Sequence, residues 1–202
     1  GAVAAKLLNS DGSLQYSLRR FPNVLTPFTE NTNLSQVPFI QKYSKRSRLM
    51  NWNHSEIKEV EQPAGAAFMI KRHVLETLGP LNSCYHMFFE DVDLCYRIRK
   101  NGWKIFYLPD AQIIHHGGQS VKKRTDMGVQ FYLSLIKYFK LHNGDSGVMY
   151  VRLSMLALSL YCLLFSILQI PINLSQALVV GKSSVNVMRA AFYKFTPTPE
   201  CR

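Results

Sequence analysis

Glu90, Asp91 and Asp93 put three carboxylates into four positions directly behind Phe88 and Phe89, and no other stretch of this 202-residue chain concentrates so much reactive chemistry. Acids beside aromatic bulk are costly to bury unless they are paired or used. Three uses fit the spacing. The acids can cap a helix, because Asp and Glu in a first turn satisfy free backbone N–H groups and the helix dipole. Asp91-Val92-Asp93 also has the D-x-D form that holds a divalent cation through hard oxygens. Two residues two apart on a helix, however, point about 200° from each other, so one cation cannot easily use both. The third use is one carboxylate facing a cavity as a general base while its neighbours cap and pair. Spacing alone leaves all three open. Asp93 and Arg97 stand four apart and are expected to pair.

The second candidate is His115-His116-Gly117-Gly118. Adjacent residues on a strand point to opposite faces, so at most one histidine is expected to look into a site. A strand-end histidine in an ordinary hydrogen bond is the plain alternative. A ten-residue helix rises about 15 Å and a following six-residue strand covers about 20 Å. The chain can therefore leave Asp91 and return to the His115 region near the same end of a sheet.

The elements that must position these residues read as mixed α/β. Gly1 opens directly on an apolar strand, GAVAAKLL, so the chain is expected to begin inside a fold. Asn9-Ser10-Asp11-Gly12 is a turn signal, and SLQYSL continues extended, suggesting a hairpin. Residues 19–62 lose periodicity and read as a long irregular excursion with a basic cluster, Lys42, Lys45, Arg46 and Arg48. AGAAFMI is then a short strand, and KRHVLETLG a helix stopped by Gly79. Residues 91–100 follow as a helix, acidic at its start and basic at its end. Residues 103–108 read as a strand, Pro109-Asp110 as a break and AQIIHH as another extended run, the pattern of a sheet covered by helices.

Beyond Ser120 the character changes. VKKRTDMGVQFYLSLIKYFKLHNG sets apolar residues at helical spacing among lysines, as in a basic amphipathic helix. Residues 153–180 carry no charge, and LSMLALSLYCLLFSILQI approaches the roughly 20 apolar residues a bilayer needs, predicting a membrane-spanning or deeply embedded helix. The tail is expected to hold a second, surface-lying helix. Lys122, Lys123, Arg124, Lys137, Lys140 and Arg152 precede the apolar run, which by the positive-inside tendency keeps the preceding domain cytoplasmic.

The formal charge of +11, from 24 Lys and Arg against 13 Asp and Glu, points to an anionic partner such as nucleic acid, a nucleotide or a lipid headgroup. Cys84, Cys95, Cys162 and Cys201 show no metal or disulfide spacing, and a reducing, cytosolic setting is expected.

Taken in order, G-A-x-F, F-E-D-V-D-L-C-x-R, G-W-x-I-x-Y-x-P and I-x-H resemble the acceptor-side half of a family 2 glycosyltransferase of the GT-A fold. Within that family the chain most resembles bacterial rhamnosyltransferase-like enzymes of polysaccharide assembly, over roughly residues 1–144. The fold this implies is an incomplete GT-A-type mixed sheet flanked by helices, followed by C-terminal amphipathic and hydrophobic helices. The implied domains are an acceptor-side part over residues 1–120, a basic amphipathic segment over 121–150 and a membrane-associated helix and tail over 151–202. The resemblance implies an inverting transfer from a nucleotide-sugar donor, with rhamnose as the candidate sugar, to a glycan or lipid-linked acceptor in cell-surface glycan synthesis. The implied place is the cytoplasmic face of the bacterial inner membrane.

In that family Asp91 matches the base for the acceptor hydroxyl, with Glu90 beside it at the site rim. His115 matches the histidine that helps bind the metal diphosphate, the cation being Mg2+ or Mn2+. Arg97 orients the carboxylates through Asp93, and Gly65 lets the backbone approach the substrate. The family's nucleotide-binding half and its D-x-D motif lie upstream of what matches here, so most of the cation's ligands are expected outside this chain and this portion alone is expected to be inactive. A rival reading is a non-enzymatic basic module binding anionic lipid or nucleic acid through residues 42–48 and 122–124. It leaves the acidic cluster unexplained, and without aromatic residues arrayed among the basic ones nucleic acid is not the expected partner.

Overall fold

The computed structural model describes residues 1–30, 37–117, 127–169, 174–197 and 201. Lys122, Lys123, Arg124 and Gly118 lie outside the described residues. The chain forms two compact units, one of residues 1–21, 45–125 and 200–202, the other of residues 22–44 and 126–199.

The first unit is built on a four-stranded mixed sheet. β1 (Ala2–Leu8) runs parallel to β6 (Ile105–Ile114) and antiparallel to β5 (Phe68–Ile70), while β3 (Lys58–Glu59) pairs antiparallel with β6, giving the order β3-β6-β1-β5. β2 (Leu18–Arg19) and β4 (Gln62–Pro63) make a separate two-stranded antiparallel ribbon. β1 alternates with period two, burying Ala2 and Ala4, then slips so that Leu7 is the next buried residue. The slip coincides with a register shift, because Ala5 faces Leu108 whereas Lys6 faces Gln112. Pro109-Asp110-Ala111 is the surplus; Pro109 has no N–H for a ladder, and a bulge accommodates it without ending the strand. The expected break at Pro109-Asp110 is thus a bulge inside one strand rather than a gap between two.

Two helices cover this sheet. α3 (Arg72–Leu78) ends at Gly79, whose φ of 78° is the left-handed conformation that stops a helix. α4 (Glu90–Lys100) buries Val92, Leu94, Cys95 and Ile98, the last three of which pack with Ala2, Leu18, Val60, Val74, Ile105 and Tyr107. The hairpin expected after Gly12 is short: Leu8 and Leu14 form one antiparallel bridge, and the chain then leaves for the ribbon.

Residues 19–62 are more ordered than expected. Among the described residues they contain α1 (Thr26–Thr29), α2 (Pro38–Ser47) and β3, with the end of β2 and the start of β4 at their edges. Three of the four residues of the expected basic cluster, Lys42, Lys45 and Arg46, lie on α2, which has no buried residue. The four cysteines are not all free. Cys84 and Cys201 form a disulfide across 117 residues, a pairing with no local spacing to announce it, while Cys95 and Cys162 are buried thiols.

His54 is 1% exposed and packs among Trp52 (stacked, 4.5 Å), Tyr107 (5.7 Å) and Tyr16 (5.5 Å). Its Nδ1 lies 2.7 Å from the Trp52 carbonyl. Burial holds its pKa below the usual 6.5, with Lys6 and Lys58 acting in the same sense. The unfolded chain therefore takes up this proton first as pH falls, so the stabilisation is complete above about 6.5 and is lost on acidification through the lowered native pKa. Thermal melts between pH 7 and 5 are expected to show a loss of stability that His54→Gln lacks.

In the second unit, α5 (Met127–Gln169) is interrupted at Gly144, where φ 66° and ψ −157° leave the helical range. The amphipathic and apolar segments therefore meet at this glycine. α6 (Leu174–Ala191) packs along α5 instead of lying apart as a surface helix.

Candidate active site

Asp91 sits in the first turn of α4, and the approach to that turn is strained. Phe88 and Phe89 have φ of 63° and 71°, a left-handed conformation that costs a bulky residue about 1 kcal/mol or more. The Phe89 ring is buried and anchors the turn. Two successive left-handed residues bring the acids round to the mouth of the sheet.

There they meet a cavity of about 660 Å³. Its walls include Gly65, Phe88, Glu90, Asp91 and His115, with apolar surface from Phe68, Leu75 and Met87. The Asp91 carboxylate is held by backbone: Gly65 N–H donates to Oδ2 and Val92 N–H to Oδ1, both at 2.8 Å. Each carboxylate oxygen has a second lone pair, so this clamp fixes the group without exhausting it. Gly65 packs closely there: a Cβ would lie 3.1 Å from Asp91 Cβ and 3.4 Å from Oδ2, so the Asp91 side chain would have to give by a few tenths of an ångström. The close approach expected of Gly65 is thus an approach to Asp91.

Glu90 lines the same cavity, and its Oε2 is buried without a hydrogen-bond partner among the described residues. Desolvation raises its pKa above the usual carboxylate range, with the Asp91 charge adding to the effect. Two adjacent acids in one cavity are thereby differentiated, one clamped by N–H donors and one desolvated.

Asp93 and Arg97 do not line the cavity. Asp93 is 1% exposed and accepts from Arg97 Nε at 2.8 Å. The guanidinium also donates to the carbonyls of Leu78 (2.7 Å), Gly79 (3.3 Å) and Pro80 (2.8 Å). This pair ties α4 to the end of α3, whose following loop supplies Pro80 and Leu81 to the cavity wall.

His115 follows β6 and separates the large cavity from a polar hollow of about 520 Å³ lined by Asn9, Ser10, Asp11, Gln15, His116 and Gly117. Its Nδ1 is 2.7 Å from Gln15 Oε1. The Gln15 amide is oriented by its other end, where Nε2 donates to Asn9 Oδ1 (2.9 Å) and to the His115 carbonyl (3.1 Å). A carboxamide oxygen accepts, so His115 Nδ1 carries the proton and, in the neutral ring, Nε2 is the nitrogen with the lone pair. A metal-ligating histidine is held in this way. His116 instead meets Ser10 Oγ at 2.8 Å. Among the described residues no three His, Cys, Asp or Glu converge to hold a metal.

Sequence reasoning did not assign Asn9 and Gln15 to the site. Their signal was the turn after β1, which reads as a simple hairpin turn yet folds against the end of β6.

A family model described as Glycosyltransferase like family 2 matches residues 15–130. The N-acetylglucosaminyl-diphospho-decaprenol L-rhamnosyltransferases of two Mycobacterium tuberculosis strains are each 27% identical over 128 residues, covering 59% of this chain and 38% of the relative. A low-salt glycan biosynthesis hexosyltransferase of Haloferax volcanii is 30% identical over 89 residues, 44% of this chain and 28% of the relative. The chain spans about two fifths of the length of the first of these curated relatives.

Proposed function

The chain belongs to the glycosyltransferase-like family 2, and from that premise we propose that it forms the acceptor side of an inverting transferase acting on a lipid-linked or polysaccharide acceptor. The observation that carries this reading is the Asp91 carboxylate, clamped by the Gly65 N–H and open to a cavity that Glu90 and His115 also line. In a single displacement the acceptor oxygen bonds to the anomeric carbon as the bond to the nucleoside diphosphate breaks. The hydroxyl proton passes to Asp91, and the leaving group takes the electron pair. A base must lie within hydrogen-bond reach of that hydroxyl, and the free lone pairs of Asp91 provide it. Glu90, desolvated beside Asp91, positions the acceptor at the rim.

His115 Nε2 is the ligand this chain offers to Mg2+ or Mn2+, with the remaining ligands from the donor and from the nucleotide-binding half. Such a cation neutralises the departing diphosphate. The relatives' names favour rhamnose or another hexose as the sugar.

The second unit supports a membrane location. Met127–Leu168 is apolar enough for a candidate span, with one third of its most apolar stretch buried. Leu160, Leu164, Ile167 and Leu168 of α5 and Leu178 and Val179 of α6 are each more than half exposed. We place this hairpin in the bilayer at the cytoplasmic face, where Lys137, Lys140 and Arg152 precede the apolar run. The Cys84–Cys201 bond weighs the other way on compartment, because cytosolic thiols stay reduced.

The stereochemistry of the product tests the reaction. The full-length protein, given nucleotide-activated rhamnose and a lipid-linked acceptor, is expected to form a glycosidic bond of anomeric configuration opposite to the donor's, read by NMR coupling constants. Retained configuration would overturn the single displacement.

A further inference from the structure

The two long helices of the second unit pair antiparallel, burying Met155, Leu158, Val180 and Val187 together with serines that bond across the pair. Ser159 Oγ donates to the Ser184 carbonyl (2.8 Å), Ser166 Oγ to the Ala177 carbonyl (2.6 Å) and Arg152 Nη2 to the Tyr193 carbonyl (2.5 Å). Gly181 fits against Ser166, where a Cβ would lie 3.1 Å from Oγ. Serine hydroxyls and a glycine among the buried residues, with large apolar side chains exposed on the outside, suit a hairpin surrounded by lipid. From Leu153 to Leu168 the apolar run rises about 24 Å, most of a bilayer's hydrocarbon thickness.

At the open end of that hairpin lies a pocket of about 340 Å³, lined by Ile136, Lys140, Asp145, Val148, Arg152 and residues 194–197. Three cations, Lys140, Arg152 and Lys194, face one carboxylate, Asp145, which pairs with Lys140 at 2.5 Å but is itself 89% exposed. Arg152 spends one donor on Tyr193, and its buried Nε has no hydrogen-bond partner among the described residues. Buried donors of this kind call for an acceptor. Arg152 immediately precedes the charge-free run, so the pocket falls at the depth of the headgroups when the hairpin is inserted.

We propose that this pocket binds the phosphate-bearing headgroup of a membrane lipid, a lipid diphosphate matching its three cations best. The inference rests on the reading that the acceptor is lipid-linked. Charge and depth select the ligand together: the cations attract the phosphates, and the hairpin fixes them where a lipid presents phosphate.

The test is binding of the full-length protein to phosphatidylcholine vesicles with and without a polyprenyl diphosphate, comparing wild type with the Lys140→Gln, Lys194→Gln double variant. Arg152 is left in place because it also holds the Tyr193 carbonyl. At about 1 kcal/mol per cation near the surface, the variant is expected to lose about 30-fold in affinity for the doped vesicles. Its binding to neutral vesicles should not change. Equal binding of both proteins to doped vesicles would overturn the pocket, as would an equal loss on neutral ones. Inorganic pyrophosphate binding as tightly as the doped vesicles would make the site one for free phosphate and overturn the lipid assignment. Asp91→Asn is expected to keep full vesicle binding, so failure of the transfer chemistry and failure of the pocket are read separately.

Discussion

Arg97→Ala is expected to destabilise the first unit by about 3 kcal/mol, a melting-temperature drop on the order of 10 °C. The reason is the asymmetry of buried ion pairs. The pair itself contributes little over a well-packed apolar substitute, but removing one partner strips a buried charge of its counter-ion. Asp93 is 1% exposed and loses the Nε donor at 2.8 Å. The carbonyls of Leu78, Gly79 and Pro80 lose their common donor in the same step. Arg97→Lys should recover only a fraction, because an ammonium cannot reproduce the planar fork that reaches one carboxylate and three carbonyls. Asp93→Ala should be similarly costly. The double variant should cost clearly less than the sum, since both changes remove one interaction. Additive losses, measured by denaturant unfolding, would show that the two residues do not act as a unit.

The same pair shows what the sequence reveals and what it hides. An acid and an arginine four apart on a helix predict each other through local geometry, and β1, α3 and α4 likewise carry their signals within a few residues. Asp91 stood out by its neighbours' chemistry, but its clamp did not: Gly65 lies 26 residues away, and no local pattern says that its N–H meets that carboxylate. Gln15 and Asn9 support His115 across about a hundred residues for the same reason. α2 was hidden by its surroundings, because Pro22, Pro27 and Pro38 with the neighbouring Asn and Thr read as loop and its basic residues as a solvated cluster. The bulge at Pro109 read as a break because a proline ends most strands, and only the partner strand's register shows that this one continues. The Cys84–Cys201 bond was invisible because two cysteines 117 residues apart have no spacing to read. Contacts close in sequence were thus legible, whereas the long-range ones that shape the site required the fold.

The most direct measurement of the central claim is the rate of sugar transfer by Asp91→Asn in the full-length protein. Asparagine keeps the size, and its single carbonyl oxygen can still accept from one of the Gly65 and Val92 N–H groups while its NH2 meets the other, so a melting curve is taken with the rate to show that the fold survives. It cannot take a proton. General-base catalysis by a positioned side chain contributes about 10²–10⁴-fold, so kcat is expected to fall by that factor with little change in acceptor KM. Transfer at a near wild-type rate by a folded Asp91→Asn protein would contradict the account, and the base would then have to be sought elsewhere.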